Sequence, residues 1–190
     1  MTEGSMTTQP TTDQPISAAS TPILLHKAQD ADVPALLALI NGYADRNLLL
    51  RRSEESLRAV LGDFVVASSG DGEILGCGAL TELGPGLGEV RSLAVREDHA
   101  GHGIGRRLVE RLVEDAAGRG FAQVLALTRR VPFFESLGFA VTQRELFLEK
   151  LAADCAACPM NLCCDETAVV KAVPLPSEEG EERKALTWAL

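Results

Sequence analysis

The sequence of 190 residues predicts an α/β domain with a mixed, twisted sheet of six to seven strands flanked by helices. Two observations lead to this fold class. Short apolar runs bounded by Gly, Asp, Ser and Pro alternate with segments whose apolar residues recur at helical spacing. A strand also runs through a glycine-rich turn directly into one long amphipathic helix, which indicates strands and helices packed in layers.

The predicted strands are short runs of apolar residues with turn residues at their ends. They are expected at residues 23–25, 64–67, 74–80, 89–95, 124–127, 139–142 and 167–173. The sequence Ser-Gly-Asp-Gly over residues 69–72 is typical of a hairpin turn between the second and third strands. Residues 124–127 are mostly apolar, which indicates a buried strand.

The predicted helices follow from capping residues and apolar periodicity. They are expected at residues 33–40, 53–61 and 103–117, and from residue 132 onward. Asp32 and Pro34 mark the start of the first helix, because Asp is a favoured N-cap and Pro fits the first turn. Ser53 caps the second helix, and Pro132 begins the last. The helix over 103–117 carries an apolar stripe opposite Arg and Glu, and Gly118 ends it.

The sequence indicates one domain between two loose tails. Residues 1–20 are rich in Thr, Ser, Gln and Pro, so they cannot bury enough apolar surface to order themselves, and we expect a disordered tail. The domain is expected over residues 22–173. Residues 174–190 contain two prolines and a group of glutamates, which predicts a second, acidic loose tail.

The composition argues against several classes of partner. A net charge of −9 speaks against nucleic-acid binding, which needs a basic surface. No apolar run approaches the roughly 20 residues that span a bilayer, and the N-terminus lacks the pattern of a secretory signal. We therefore expect a cytoplasmic protein that acts on a small molecule, with a homodimer left open.

A glycine-rich turn between a strand and a helix predicts an anion site. Gly101, Gly103 and Gly105 alternate along the turn, so the backbone can approach a ligand with its N–H groups turned outward. The following helix adds its positive end, and Arg106 and Arg107 lie in its first turn. The turn lacks the ending of a P-loop and follows the fourth strand, unlike a dinucleotide-binding unit. A purely structural turn is the alternative.

This turn resembles the acetyl-CoA motif of GNAT acetyltransferases, whose usual pattern is Arg/Gln-x-x-Gly-x-Gly/Ala. Gly103 and Gly105 match the pattern, whereas Ala100 replaces the leading Arg or Gln. Residues 132–139, Pro-Phe-Phe-Glu-Ser-Leu-Gly-Phe, are similar to the helix-and-strand ending of the same superfamily. The resemblance covers about residues 23–145.

The resemblance implies that the fourth and fifth strands splay apart and that acetyl-CoA, the co-substrate, binds between them. A main-chain N–H near Leu93 or Ala94 would polarise the thioester carbonyl, and the amine would attack directly, without an acyl-enzyme. The residues expected to contact acetyl-CoA are Leu93, Ala94, Val95, Gly101, His102, Gly103, Ile104, Gly105, Arg106 and Phe134.

Residues 49–53, 76–80, 88–95 and 125–128 look like the acetyltransferase part of N-acetylglutamate synthases. This similarity implies transfer of acetyl to the α-amino group of L-glutamate, within arginine biosynthesis. It implies Glu89 as the base, Thr128 as the acid and Arg51 as the ligand of the substrate carboxylate, with Arg52 and Ser92 as further substrate contacts. The larger members also carry an amino-acid kinase domain, so their arginine feedback site is expected to be absent.

Each of these roles has a competing interpretation. Glu89 suits a base if desolvation raises its pKa, but it could be a surface charge paired with Arg91. Phe134 stands where many GNAT enzymes have a Tyr, so Thr128 or water would protonate the leaving thiolate. Arg51 could bind a carboxylate with two parallel hydrogen bonds, or it could be a solvated charge at a helix entry.

Two other functions stay open at this stage. The chain could be a GNAT enzyme with another acceptor, such as a different amino acid, a polyamine or a protein N-terminus. It could also be a non-catalytic acyl-CoA-binding or regulatory module.

Four of the five cysteines fall in the segment 154–166, which is expected to close the domain: Cys155, Cys158, Cys163 and Cys164. The first two have the spacing of a zinc knuckle, so a zinc site is one interpretation. A single such pair is weak evidence, and reduced thiols that pack the segment are the favoured interpretation. A redox-sensitive pair is the third.

Overall fold

A computed structural model describes residues 22–153, 155–158 and 163–174 as one mixed sheet with helices on both faces. The strands are β1 Leu24–Lys27, β2 Phe64–Ser68, β3 Ile74–Gly84, β4 Leu87–Val95, β5 Gln123–Thr128, β6 Ala140–Thr142 and β7 Thr167–Ala172. Their order across the seven-stranded sheet is β1-β2-β3-β4-β5-β7-β6. Strands β4 and β5 are parallel, and the other neighbours are antiparallel. The predicted fold class is confirmed.

The helices are α1 Val33–Ala44, α2 Glu54–Arg58, α3 Ile104–Gly118, α4 Val131–Glu135 and α5 Leu148–Ala153. The capping signals work as expected, since the Ser53 hydroxyl accepts the N–H of Ser56 and Pro34 lies in the first turn of α1. No described helix is long and apolar enough to cross a bilayer. The predicted tails, except Pro174, lie outside the described residues.

Two apolar clusters hold helices against opposite faces of the sheet. On one face α3 inserts Leu108 and Leu112 among side chains such as Val124 of β5. On the other face α1 and α2 contribute Leu36 and Leu57 to a second cluster with β2, β3 and β4. The predicted stripe of α3 faces the sheet because its apolar residues share one side of the helix.

Strand β4 contains a bulge that changes its course. Its pairing with β3 passes from Ala79↔Arg91 to Cys77↔Ala94, so two residues of β4 lie opposite one of β3. Ser92 in the bulge has a φ of 51°, a conformation that side-chain-bearing residues seldom adopt. The carbonyl of Ser92 accepts a hydrogen bond from the Cys77 thiol.

Strands β4 and β5 separate beyond the head of the parallel pair. Their pairing covers Leu87↔Gln123, Gly88↔Val124 and Glu89↔Leu125, and among the described residues it extends no further. Strand β4 stays paired with β3 up to Val95. The expected splay of the fourth and fifth strands is therefore present, and it begins just after Glu89.

The sequence did not predict the elements between β6 and β7. A short turn of helix at Arg144–Leu146 leads into α5, and another follows at Cys155–Ala157. Each is shorter than two helical turns, so no apolar periodicity can mark it. The other differences are at the ends of strands: β3 extends to Gly84, and β1 begins one residue later than expected.

The contact between β3, β4 and α3 generates a stability prediction. A Cβ added at Gly76 would lie 2.9 Å from the backbone oxygen of Ala94 and 3.2 Å from side-chain atoms of Ile104 and Leu108. We expect Gly76→Ala to lower the free energy of unfolding by about 1–3 kcal/mol, because a backbone atom cannot yield easily. Chemical denaturation measures the change. Gly62→Ala is the control, since its Cβ would meet nothing within 4 Å; equal stability of both variants would contradict the packing.

Candidate active site

The glycine turn has the backbone that the sequence predicted. Gly101 and Gly103 have φ values of 83° and 78°, which favour glycine. A Cβ at either position would meet nothing within 4 Å, so the turn faces open space. Gly103 is the N-cap of the 15-residue α3, without a side-chain cap and without an acidic residue in the first turn. The first N–H groups of α3 thus face outward with the positive end of the helix.

The side chains next to the glycine turn come from α3 and α4. Arg106 is exposed and reaches the hydroxyl of Ser136 beyond α4, while it also pairs with Glu110. The ring of Phe133 lies beside Gly105, where an added Cβ would be 3.5 Å away. Phe134, the expected cofactor contact, is 4% exposed and packs edge-on between Phe133 and Phe139. Phe133 is therefore the aromatic residue that contacts the turn. Adjacent phenylalanines in one short helix cannot be told apart by residue type, so the sequence could not show which of the two does so.

The far end of β4 runs from the bulge towards this turn. Leu93 and Val95 are half-buried, and Ala94 is buried in the cluster beneath α1. The hydroxyl of Tyr43 on α1 donates a hydrogen bond to the carbonyl of Val95. Tyr43 therefore fixes the end of β4 from the side of α1, a contact that sequence patterns do not reveal.

Glu89 is buried at the head of the splay. Its side chain is 3% exposed, so the alternative of a surface charge is wrong. Its carboxylate lies 3.8 Å from Arg91, as that alternative expected, but its nearer cation is Lys150 on α5, with 2.7 Å between Nζ and Oε1. Lys150 is 6% exposed. The sequence did not single out Lys150.

Glu89 lies on the face that α1, α2 and α5 cover. Cross-strand partners and alternate residues of a strand share a face. Arg91 lies opposite Ala79, which belongs to the cluster beneath α1, and Glu89 is two residues before it. Leu125 of β5, opposite Glu89, packs with Phe147 just ahead of α5.

Thr128 lies at the other side of the gap. It ends β5, is 7% exposed, and its Oγ1 accepts the N–H of Arg130 at 2.8 Å. Its hydroxyl proton remains available to a second partner. Val124 and Ala126 face α3, so alternation along β5 puts Thr128 on the α3 side of the sheet.

The two adjacent arginines have different surroundings. Arg51 has a side chain 60% exposed and pairs with Asp45 at the surface. Arg52 is half-buried, and its Nε lies 3.4 Å from the hydroxyl of Ser92 at the bulge. The Asn41 side chain donates to the carbonyl of Arg52 and accepts its N–H, both at 3.0 Å. Of the predicted substrate contacts, the structure brings Arg52 and Ser92 together and leaves Arg51 apart.

The described cysteines differ in their burial. Among the residues that the structure describes, no three His, Cys, Asp or Glu side chains are grouped to hold a metal ion. Cys155 is buried, which raises the pKa of its thiol, while Cys163 is exposed. Burial raises the pKa of Cys77, beside the bulge, to about 12. Such a thiol stays protonated near neutral pH and is a poor nucleophile.

The splayed mixed sheet and the glycine turn before α3 together match the class of acyl-group transferases that the sequence predicted. Residues 34–139 match the model of the Acetyltransferase (GNAT) family. The chain belongs to this family and is an N-acetyltransferase.

Similar proteins are also named as acetyltransferases. It is 37% identical over 147 residues to the "Uncharacterized N-acetyltransferase CT2212" of Chlorobaculum tepidum. The aligned residues cover 77% of this chain and 94% of that protein. It is also 37% identical over 118 residues to the "Amino-acid acetyltransferase" of Mycobacterium tuberculosis, covering 61% of this chain and 67% of that protein.

A solved relative is the N-acetylglutamate synthase of Neisseria gonorrhoeae, complexed with coenzyme A and N-acetyl-glutamate. The two superpose with a TM-score of 0.71 at 25% identity, over 80% of this chain and 35% of that one. The described fold thus corresponds to about a third of the larger enzyme. The predicted resemblance to the acetyltransferase part of such synthases is confirmed.

Proposed function

We propose that this N-acetyltransferase transfers the acetyl group of acetyl-CoA to the α-amino group of L-glutamate, which would be a step of arginine biosynthesis. The observation that carries the proposal is the surroundings of Glu89. A buried carboxylate lies at the point where β4 and β5 separate, with Lys150 of α5 and Arg91 of its own strand beside it. The solved synthase, which holds coenzyme A and N-acetyl-glutamate, supports the choice of acceptor.

The glycine turn suits the diphosphate of coenzyme A. Positive φ at Gly101 and Gly103 turns the backbone towards open space, and α3 adds an uncapped positive end. Arg106 supplies a further positive charge at the rim. The protein as a whole has a net charge of −9, so this local positive potential matters for an anionic co-substrate.

The acceptor side suits an amino acid. Its ammonium group would meet the Glu89 carboxylate, which accepts a proton directly or through water. The guanidinium of Arg52, beside Ser92, would bind a carboxylate with parallel hydrogen bonds. Arg52 is our choice over Arg51 because Arg52 is half-buried beside the bulge, whereas the side chain of Arg51 is 60% exposed. Arg91 adds positive charge between Glu89 and the bulge.

The reaction then needs no covalent enzyme intermediate. The free amine attacks the thioester carbonyl, a carbon–nitrogen bond forms, and the carbon–sulfur bond breaks. A main-chain N–H of Leu93 or Ala94, next to the bulge, would stabilise the developing oxyanion. The amine would arrive from the face of Glu89, and the thiolate would leave towards the face of Thr128. The Thr128 hydroxyl would donate a hydrogen bond or proton to the sulfur.

An acceptor screen tests the proposed function. Purified protein is incubated with acetyl-CoA and, separately, with L-glutamate, other amino acids, polyamines and a peptide with a free N-terminus. Release of the CoA thiol is followed, and the product is weighed by mass spectrometry. We expect release with glutamate and a product heavier by one acetyl group. Release with another amine alone would replace glutamate as the acceptor, and tight acetyl-CoA binding without any release would indicate a regulatory module.

Glu89→Gln tests the base. The amide keeps the shape of the side chain but accepts a proton far less readily, so we expect turnover to fall by about 100-fold or more. Acetyl-CoA affinity, measured by calorimetry, should change little because Glu89 lies near the start of β4, whereas the glycine turn comes after the end of that strand. A Glu89→Gln enzyme with unchanged turnover would remove Glu89 from the mechanism.

The neighbouring arginines form a matched pair for the carboxylate contact. We expect Arg52→Ala to raise the KM for glutamate by roughly 10- to 100-fold, the usual cost of a lost charge-assisted hydrogen bond. Arg51→Ala should raise it much less, since Arg51 pairs with Asp45. Initial rates at saturating acetyl-CoA give both values. If Arg51→Ala has the larger effect, the sequence-based assignment of Arg51 replaces ours.

A further inference from the structure

Lys150 belongs to no motif and to no matched family segment, yet it contacts the group proposed as the base. Its Nζ lies 2.7 Å from Oε1 of Glu89, and the two side chains are 7% and 3% exposed. It is carried by α5, whereas the family match ends at residue 139. The cation nearest to Glu89 among the described residues is thus supplied by a segment outside the matched domain core.

In the described part of the chain, the strand positions next to Glu89 hold one charged residue and two uncharged ones. From β4, Arg91 lies 3.8 Å away. From β3, the opposite residue is the uncharged Thr81, whose hydroxyl lies 3.3 Å from Asp63. From β5, the opposite residue is the apolar Leu125.

Other groups surround Lys150 on and around α5. The positive charges of Lys150 and Arg144 act on the buried Cys155 thiol, which follows α5. Glu149, next to Lys150, points instead towards Gly84 of β3. Of the two charged residues on α5, Lys150 is the one that contacts Glu89.

A contribution to folding stability does not by itself account for the buried ion pair between Lys150 and Glu89. Taking a carboxylate and an ammonium out of water costs several kcal/mol per ion in typical proteins, and apolar replacements are often neutral or better. A buried carboxylate without a close cation, on the other hand, tends to take up a proton and lose its ability to act as a base. A cation in contact keeps it charged and fixes its orientation.

We propose that Lys150 is a positioning residue for the base: its ammonium holds the buried Glu89 carboxylate ionised and oriented towards the gap between β4 and β5. The inference rests on the role of Glu89 in the proposed function. Lys150 itself need not touch the substrate. Its contribution is to keep an acidic group charged in a site from which water is largely excluded.

The pH dependence of kcat/KM tests this role. Loss of the neighbouring cation raises the pKa of Glu89, so the acidic limb for Lys150→Met should move to higher pH by about one unit or more. At a pH below both midpoints this shift lowers kcat/KM about tenfold. Lys150→Arg keeps the charge and should hold the limb near the wild-type position. Lys27→Met is the control, because Lys27 pairs with Asp115 at the same 2.7 Å but at the surface.

A second measurement does not depend on turnover or on the acceptor. Carbon-13 NMR of carboxyl-labelled full chain follows the titration of Glu89, which is assigned by its loss in Glu89→Gln. We expect the midpoint in Lys150→Met to lie above that of the wild type, with Lys150→Gln as the substitute if the Met variant does not fold. If glutamate proves not to be the acceptor, the pH profile is measured with whichever amine is turned over. The NMR titration needs no acceptor and can be interpreted in either case.

The outcomes are distinct from those of the function test. An acidic limb and an NMR midpoint that stay at the wild-type values in Lys150→Met would overturn the role of Lys150 and leave the acetyltransferase untouched. Equal loss of activity in Lys150→Arg and Lys150→Met, or a chain that folds only with Lys150, would make the residue structural and also overturn it.

Discussion

Parallel pairing between β4 and β5 ends after three residue pairs, and the arrangement of the whole site depends on this. The gap can stay open because each strand is held on its outer side. β4 remains paired with β3 as far as Val95, and β5 is paired with β7 over its entire length. Backbone N–H and C=O groups on the inner edges then point into the gap, where an extended ligand chain can satisfy them. The bulge at Ser92 adds a local change of direction on the β4 side.

The separation divides the site between the two faces of the sheet. On the α3 face lie the glycine turn, Phe133 and Thr128, which are fixed by main-chain conformation and by packing against a long helix. On the other face lie Glu89 and the bulge, with side chains reaching in from α5 and from the segment before α2. Under the proposed reaction the co-substrate is held by the first group and the amine by the second. The acyl group passes between them at the gap itself.

The same division explains what the sequence could predict. Positive φ in the glycine turn, the apolar stripe of α3 and the strands around them are local features, so residue types and spacing revealed them. The acceptor side depends on contacts between distant segments. Arg52 contacts Ser92, which lies 40 residues further along the chain, whereas its neighbour Arg51 faces solvent. The segment that carries them is irregular, so residue spacing does not show which of the two side chains points inward. Lys150 lies on a helix of six residues, too short to show a period. The burial of Glu89 likewise follows from the folded chain alone.

A site built in this way can change its acceptor without losing its co-substrate. Under the proposed function the turn around Gly103 would hold the co-substrate with backbone groups, so substitutions elsewhere would leave that backbone in place. The charges on the acceptor side come from single side chains on separate elements, each anchored by its own local contacts, such as the Asn41 clamp on the backbone of Arg52. Under the proposed function, replacing one of them would alter which carboxylate or amine is bound and would leave the sheet and the glycine turn in place. Glu89 is the exception on the acceptor side, because it is buried and, under the proposed role of Lys150, would need a cation beside it whatever amine is bound.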